Sequence, residues 1–251
     1  MRQRVIVMLK ILSIGNSFSD DAHRYLHAIA QAGGVEVLAY NLYIGGCSLQ
    51  QHWDNYQSGA EAYAFKKNGA GEGETCISVN RALQFDAWDV ITLQQASPFS
   101  GRAETYHPFL EHLVAAVQAQ APAARIWLHE TWAYGANTTQ PAFADYGSDC
   151  ETMFCALDAA YHSVAEALGL PLIPVGPAVR RAKQALLAQG LPADDLLYRD
   201  GFHLHLNYGR YLAAAVWYQT LCGERVDGNT FTPQDAGIAN PALLQIIRSV
   251  L

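Results

Sequence analysis

Two short segments at opposite ends of the chain carry residue types that together can run nucleophilic catalysis. One reads Gly15-Asn16-Ser17-Phe18-Ser19-Asp20, the other Asp200-Gly201-Phe202-His203-Leu204-His205. A serine hydroxyl is a weak nucleophile until a base takes its proton, and a carboxylate is needed to fix the tautomer of that base. Ser17 offers the hydroxyl, His203 the base and Asp200 the carboxylate. An Asp three residues before a His on a tight turn, eased by Gly201, can set both side chains on one side of the chain. Ser17 also falls where a strand-like run passes into a helical one. There an anion forming on a bound carbonyl meets unpaired N–H groups and the positive end of a helix dipole. Each segment has a plainer role as well: Ser17 or Ser19 can cap the helix, and Asp200 can serve a turn.

Two further segments lie where oxyanion donors are wanted. In Tyr43-Ile44-Gly45-Gly46-Cys47-Ser48 a glycine lets backbone N–H groups approach a ligand, and in Leu93-Gln94-Gln95-Ala96-Ser97 an amide side chain can donate to the same oxygen. A simple turn and a solvated pair of glutamines are the alternatives. His129-Glu130-Thr131-Trp132 brings an aromatic to the same rim. Trp132 either stacks on a sugar or acyl group or packs beneath a loop, and Trp53 and Tyr134 face the same choice. His203 and His205, two apart, can be taken with Asp200 for metal ligands. No third His or carboxylate stands at a recognised ligand spacing, so no metal is expected and His205 is expected beside the pocket or in solvent.

The elements that must position these residues follow from periodicity. Strand-like runs cover Val5 to Ile14, Val35 to Tyr43, Trp88 to Leu93, Arg125 to His129 and Leu172 to Val175. Helical spacing covers Asp20 to Ala32, His107 to Gln120, Glu151 to Leu168, Pro177 to Gln189 and Asn207 to Leu221. Strands separated mostly by helices imply right-handed βαβ crossovers. The expected fold is therefore α/β, a three-layer α/β/α sandwich around a central, mostly five-stranded parallel sheet, in one domain over residues 1–251. The stretches Gln50 to Phe85 and Ala133 to Ser148 follow no clean period and are expected as long excursions. In such sheets the site lies at the carboxyl ends of the strands, where these excursions emerge.

Composition narrows the class. With 51% hydrophobic and 16% charged residues the 251-residue chain has a composition ordinary for a folded soluble enzyme and wrong for a disordered chain. A net charge of −7 and no dense Lys/Arg window argue against nucleic acid as a partner. Lys10 interrupts the apolar run Val5 to Leu9, and no stretch approaches the roughly 20 apolar residues of a membrane span. The expectation is a cytoplasmic protein without a membrane partner. The five cysteines, Cys47, Cys76, Cys150, Cys155 and Cys222, are scattered and without CxxC spacing, so free thiols are expected.

Taken in order, the segments resemble the SGNH (GDSL-like) hydrolase superfamily over nearly the whole chain. Gly15-Asn16-Ser17 stands in the place of its Gly-Asp-Ser block, with Asn where Asp is usual. Gly46 resembles the glycine of its second block, and Asp200-Gly-Phe-His203 its final Asp-x-x-His block. Gly-Asn-Ser-Phe-Ser, Leu-Gln-Gln-Ala-Ser and Asp-Gly-Phe-His-Leu are also similar to a poorly characterised bacterial branch known mainly as a domain of unknown function. The resemblance implies the flavodoxin-like fold of that superfamily and esterase, lipase, acetylesterase or thioesterase chemistry without a cofactor. It further implies a Ser17-His203-Asp200 triad and an oxyanion hole from Ser17, Gly46 and a block-three amide. Block three departs, having Gln94-Gln95 for Gly-x-Asn, and Gln95 is the expected stand-in, with Gln94 beside the substrate. The leading expectation is a serine esterase acting on a small-molecule or carbohydrate ester. A metal-assisted phosphoesterase using Asp200, His203 and His205, and a glycan-binding module on the same scaffold, are the alternatives. The acyl group and the oligomeric state are not legible in the sequence.

Overall fold

The aliphatic and β-branched runs build one sheet. In the computed structural model, which describes residues 8–69 and 73–251, its strands are β1 (Leu9–Gly15), β2 (Val37–Tyr43), β3 (Tyr63–Lys67), β4 (Gly73–Ile77), β5 (Val90–Leu93), β6 (Arg125–Glu130) and β7 (Leu172–Pro174). Their order across the sheet is β4-β3-β2-β1-β5-β6-β7. The five strands β2-β1-β5-β6-β7 are parallel, and β3 and β4 extend the β2 side as an antiparallel hairpin. Helices flank the sheet. They are α1 (Ser17–His23), α2 (Leu26–Ala32), α3 (Leu49–Ser58), α4 (Val79–Leu83), α5 (Phe109–Gln120), α6 (Cys150–Leu168), α7 (Val175–Leu187), α8 (Ala193–Leu197), α9 (Tyr208–Cys222) and α10 (Pro241–Arg248). All four residues of β5 are buried, as both faces of a parallel sheet are covered.

The five expected strands are the five parallel ones, with residues 5–7 of the first expected run outside the described residues. The sheet nevertheless has seven strands, not five. The extra hairpin lies in the excursion Gln50 to Phe85, where only Tyr63 and Phe65 of β3 alternate inward, a signal too short to stand out. The helix expected over Asp20 to Ala32 is two. It starts earlier, at Ser17, and breaks at Arg24–Tyr25, where Gly69 packs so closely that a Cβ on it would lie 2.6 Å from Arg24 Cα.

Beneath the strand ends lies a polar layer. Thr92 Oγ1 donates to Ser13 Oγ over 2.7 Å, and Ser13 Oγ lies 2.7 Å from His23 Nε2. Burial brings the His23 pKa down to about 4, and burial together with the charge of His23 brings His129 down to about 3. Both rings are therefore neutral imidazoles around neutral pH.

Glu130, at the end of β6, is wholly buried and its carboxylate oxygens have no hydrogen-bond partner among the described residues. Burial first, and the neighbouring charge of Asp158 second, raise its pKa from 4.5 to about 9. The folded state thus holds a proton that the unfolded chain releases from about pH 4.5, so this group's share of stability is lost as pH rises towards 9. Glu130→Gln is expected to remove that slope and, at pH 8, to raise stability by on the order of a few kcal/mol. Denaturation midpoints of both proteins at pH 5, 7 and 9 check it; parallel curves would refute it.

Candidate active site

The carboxyl ends of β1, β2 and β5 converge on Asn16. This residue is extended, with φ −139°, and its Oδ1 accepts the Phe18 N–H over 3.0 Å, so Asn16 and not a serine caps α1. The same oxygen accepts from Gln94 Nε2 over 2.7 Å, and Asn16 Nδ2 donates to Cys47 O over 3.0 Å. Ser17 then opens the helix with its hydroxyl free of capping duty.

That hydroxyl meets the C-terminal segment. Ser17 Oγ lies 2.9 Å from His203 Nε2, and His203 Nδ1 lies 2.7 Å from Asp200 Oδ2. The other carboxylate oxygen, Asp200 Oδ1, accepts the backbone N–H groups of His203 (2.8 Å) and Phe202 (3.2 Å), closing the turn on itself. Partial burial pushes the Asp200 carboxyl up, but the hydrogen bonds and charge of His203, with the Phe202 N–H, outweigh it and hold the group below its ordinary value. Asp200 is thus a carboxylate, the form that fixes the His203 tautomer with Nδ1 as donor and Nε2 facing Ser17.

Gly201 makes the turn possible. Its φ is +80°, and a Cβ there would fall 2.5 Å from Thr138 Cα. The Gly135 N–H also donates to Gly201 O over 2.7 Å, so the excursion over residues 133–148 clasps the turn from outside.

For the oxyanion, the N–H groups of Ser17 and Gly46 have no acceptor among the described residues, and Gly46 holds φ +67° beside the cleft. Gln95 does not join them. Its Nε2 donates to Thr105 O (3.0 Å) and Oγ1 (3.1 Å), while its Oε1 accepts from Leu49 N (3.1 Å) and Ala96 N (2.9 Å), which uses up the amide. Gln94 is likewise committed, to Asn16 and, through Oε1, to His129 Nδ1 at 2.7 Å. Both glutamines are 1% exposed. The pair is scaffold, and the side-chain amides that do line the cleft belong to Asn16 and Gln140.

Two other expectations change. Trp132 is not a rim residue: it is fully buried, stacks on Phe18 with centroids 4.1 Å apart, and donates Nε1 to Phe202 O over 2.8 Å. Its role is to support the turn between Asp200 and His203 from below. His205 does not line the cleft; its Nδ1 accepts from the N–H groups of Asn207 (3.1 Å) and Tyr208 (3.4 Å), capping α9. Asp200, His203 and His205 therefore do not converge on a metal. Among the described residues, the donor atoms that do lie within 4.8 Å of one another are those of Glu130, Asp158 and His162.

The cleft over Ser17 measures about 330 Å³, and besides the residues above it is walled by Tyr43, Ser97, Pro98, Gln140 and Phe202. Its lining includes no Lys, Arg, Asp or Glu. The sequence did not mark Tyr43, Ser97, Pro98 or Gln140 as walls, since each follows a strand or sits in an excursion without period. Tyr134 OH donating to Ser97 Oγ over 2.9 Å ties one wall to the next. No helix among the described residues is long and apolar enough to cross a membrane.

A mostly parallel sheet flanked by helices, with a serine at the first strand-to-helix turn and an Asp-x-x-His turn near the C-terminus, defines an SGNH-like hydrolase fold. Solved structures agree. A candidate SGNH hydrolase from Slackia heliotrinireducens superposes at TM-score 0.58 with 24% identity, over 86% of this chain and 100% of that one. An acetylxylan esterase from Geobacillus stearothermophilus does so at 0.55 with 14% identity, over 87% and 95%. At such identities the likeness is one of fold. The chain belongs to the DUF4886 family, a domain of unknown function, whose model matches residues 10–245. A DUF4886 protein from Bacteroides uniformis is 32% identical and superposes at TM-score 0.89, over 97% of this chain and 93% of that one. No curated protein matches the chain.

Proposed function

We propose that this DUF4886 domain is a serine esterase acting on small, uncharged acyl esters. The observation that carries the proposal is the unbroken hydrogen-bonded line from Asp200 Oδ2 through His203 to Ser17 Oγ, with steps of 2.7 and 2.9 Å. In the proposed reaction Ser17 Oγ attacks the ester carbonyl carbon as its proton passes to His203 Nε2. The negative charge moves to the carbonyl oxygen, where the Ser17 and Gly46 N–H groups receive it. Collapse breaks the ester C–O bond, and His203 returns the proton to the departing alkoxide. Water, deprotonated by the same imidazole, then releases the acyl group and restores Ser17.

The cleft supports a narrow substrate choice. A volume of about 330 Å³ walled by Tyr43, Pro98 and Phe202 suits a short acyl group, and with no cation in the wall nothing is offered to a carboxylate- or phosphate-bearing one. Tyr43 and Gln140 offer hydrogen bonds to a hydroxyl-rich leaving group. An acetylated carbohydrate meets both conditions, and the acetylxylan esterase of the same fold is the structural precedent. The test is labelling with a fluorophosphonate probe followed by peptide mapping. The adduct is expected on Ser17; absence of labelling in folded protein, or labelling elsewhere, would reject the proposal and favour a binding module.

A further inference from the structure

The proposed triad needs two parts of the chain, 186 residues apart, to meet within a hydrogen bond. Hydrogen bonds inside the turn explain how Asp200 holds His203, yet they do not explain what holds that turn against α1. The answer lies in a carboxylate outside every recognised motif. Asp21 stands one helical turn after Ser17 on α1, so both project from the same side of the helix. Its side chain is 1% exposed.

Asp21 collects partners from both flanks of the turn. Arg199, directly before Asp200, places Nη1 2.9 and 3.0 Å from the two carboxylate oxygens. The backbone N–H of Leu204, directly after His203, donates to Asp21 Oδ2 over 2.9 Å. Arg199 closes the loop further, donating Nη1 to Leu204 O (2.6 Å) and its own N–H to His203 O (3.0 Å). From α9, Arg210 Nε donates to Asp21 Oδ1 over 2.8 Å, and its N–H donates to His205 O over 3.1 Å. One buried carboxylate thus grips the residue before Asp200, the residue after His203 and the helix that follows. No nearer charged connection between α1 and the turn is present among the described residues.

We infer that Asp21 is a positioning residue that sets the Ser17–His203 separation by clamping the 199–204 turn to the helix carrying Ser17. The inference rests on the serine esterase reading of the site. Asp21 touches neither substrate nor the reacting atoms, so its effect is exerted through His203. Misplacement by about 1 Å typically lowers a rate around a hundredfold. Asp21→Asn keeps the shape and one acceptor but points an amide donor at a guanidinium, loosening the clamp without opening a cavity.

The experiment compares p-nitrophenyl acetate hydrolysis by the wild type, Asp21→Asn, His203→Ala and the double variant, each assayed well below its own melting midpoint. Expected is a fall in kcat of about 10- to 100-fold for Asp21→Asn with KM changed less than about threefold. In the His203→Ala background the same substitution is expected to cost nothing further, because the residue through which it acts is gone. A merely structural ion pair would lower activity in both backgrounds. Unchanged kcat in folded Asp21→Asn, a loss confined to KM, or a full loss persisting without His203 would overturn the inference. If Asp21→Asn does not fold, Arg199→Ala, which removes the Nη1 contacts to both Asp21 oxygens and to Leu204 O, takes its place with an expected fall of about tenfold; unchanged kcat there overturns the inference equally. Fluorophosphonate labelling separates the two levels: unlabelled wild type defeats the esterase reading, whereas an equal labelling rate at Ser17 in wild type and Asp21→Asn defeats only the clamp.

Discussion

Ser17→Ala is expected to lower p-nitrophenyl acetate turnover by at least about ten-thousandfold, to the level of protein that lacks a nucleophile. The loss is large because the remaining groups cannot substitute for one another. His203 without Ser17 has no hydroxyl to deprotonate, and the Ser17 and Gly46 N–H groups face an oxyanion that no longer forms at speed. For the same reason losses should not multiply: Ser17→Ala, His203→Ala and the double variant are expected to fall to similar rates, since the three groups act as a unit. Steady-state kinetics on matched preparations provide the check. A Ser17→Ala protein that keeps even a tenth of wild-type turnover would show that another residue is the nucleophile. The buried histidines are no reserve bases, as His23 donates or accepts only within the Ser13 layer and His129 faces Gln94.

Gly201→Ala is expected to cost about 2–4 kcal/mol of stability and to lower kcat on the order of a hundredfold. Two independent penalties meet at this position. An L-residue at φ +80° is strained on its own account, and the new methyl would overlap the backbone of Thr138 at 2.5 Å, which is no flexible side chain that can step aside. Relief must come from moving the turn, and the turn carries both Asp200 and His203. Gly46→Ala is the informative control: its φ of +67° imposes similar backbone strain, but a Cβ there meets nothing within 4 Å. Thermal melts of the two variants, side by side with their kcat values, separate strain from collision. Equal midpoints would argue that Thr138 does not constrain Gly201.

Much of this arrangement was written in local patterns. The five parallel strands are runs rich in aliphatic residues, and the Ser17 and Asp200-x-x-His203 segments sit at turns marked by Gly, Asn and Asp. What escaped depends on partners distant in sequence. The resemblance put Gln95 at the oxyanion and Gln94 beside the substrate; instead Thr105, Leu49, Asn16 and His129 engage them in the interior. Trp132 was open to stacking on a ligand or packing beneath a loop, and it is Phe18 and Phe202 O, distant in sequence, that cover it. The β3–β4 hairpin escaped for lack of length. Asp21 gave no local signal at all, since Arg199 and Arg210 lie 178 and 189 residues away.

Phe202 of the turn excepted, the walls of the cleft and the machinery beneath it come from different parts of the chain. Tyr43 follows β2, Ser97 and Pro98 follow β5, and Gln140 sits in the 133–148 excursion, whereas Asp200 and His203 share one cross-braced turn. Selection acting on the diet of such an enzyme can therefore redraw the mouth one loop at a time while the proton-handling turn is inherited intact. Homologues built on this plan are expected to diverge in which esters they accept sooner than in how they open them.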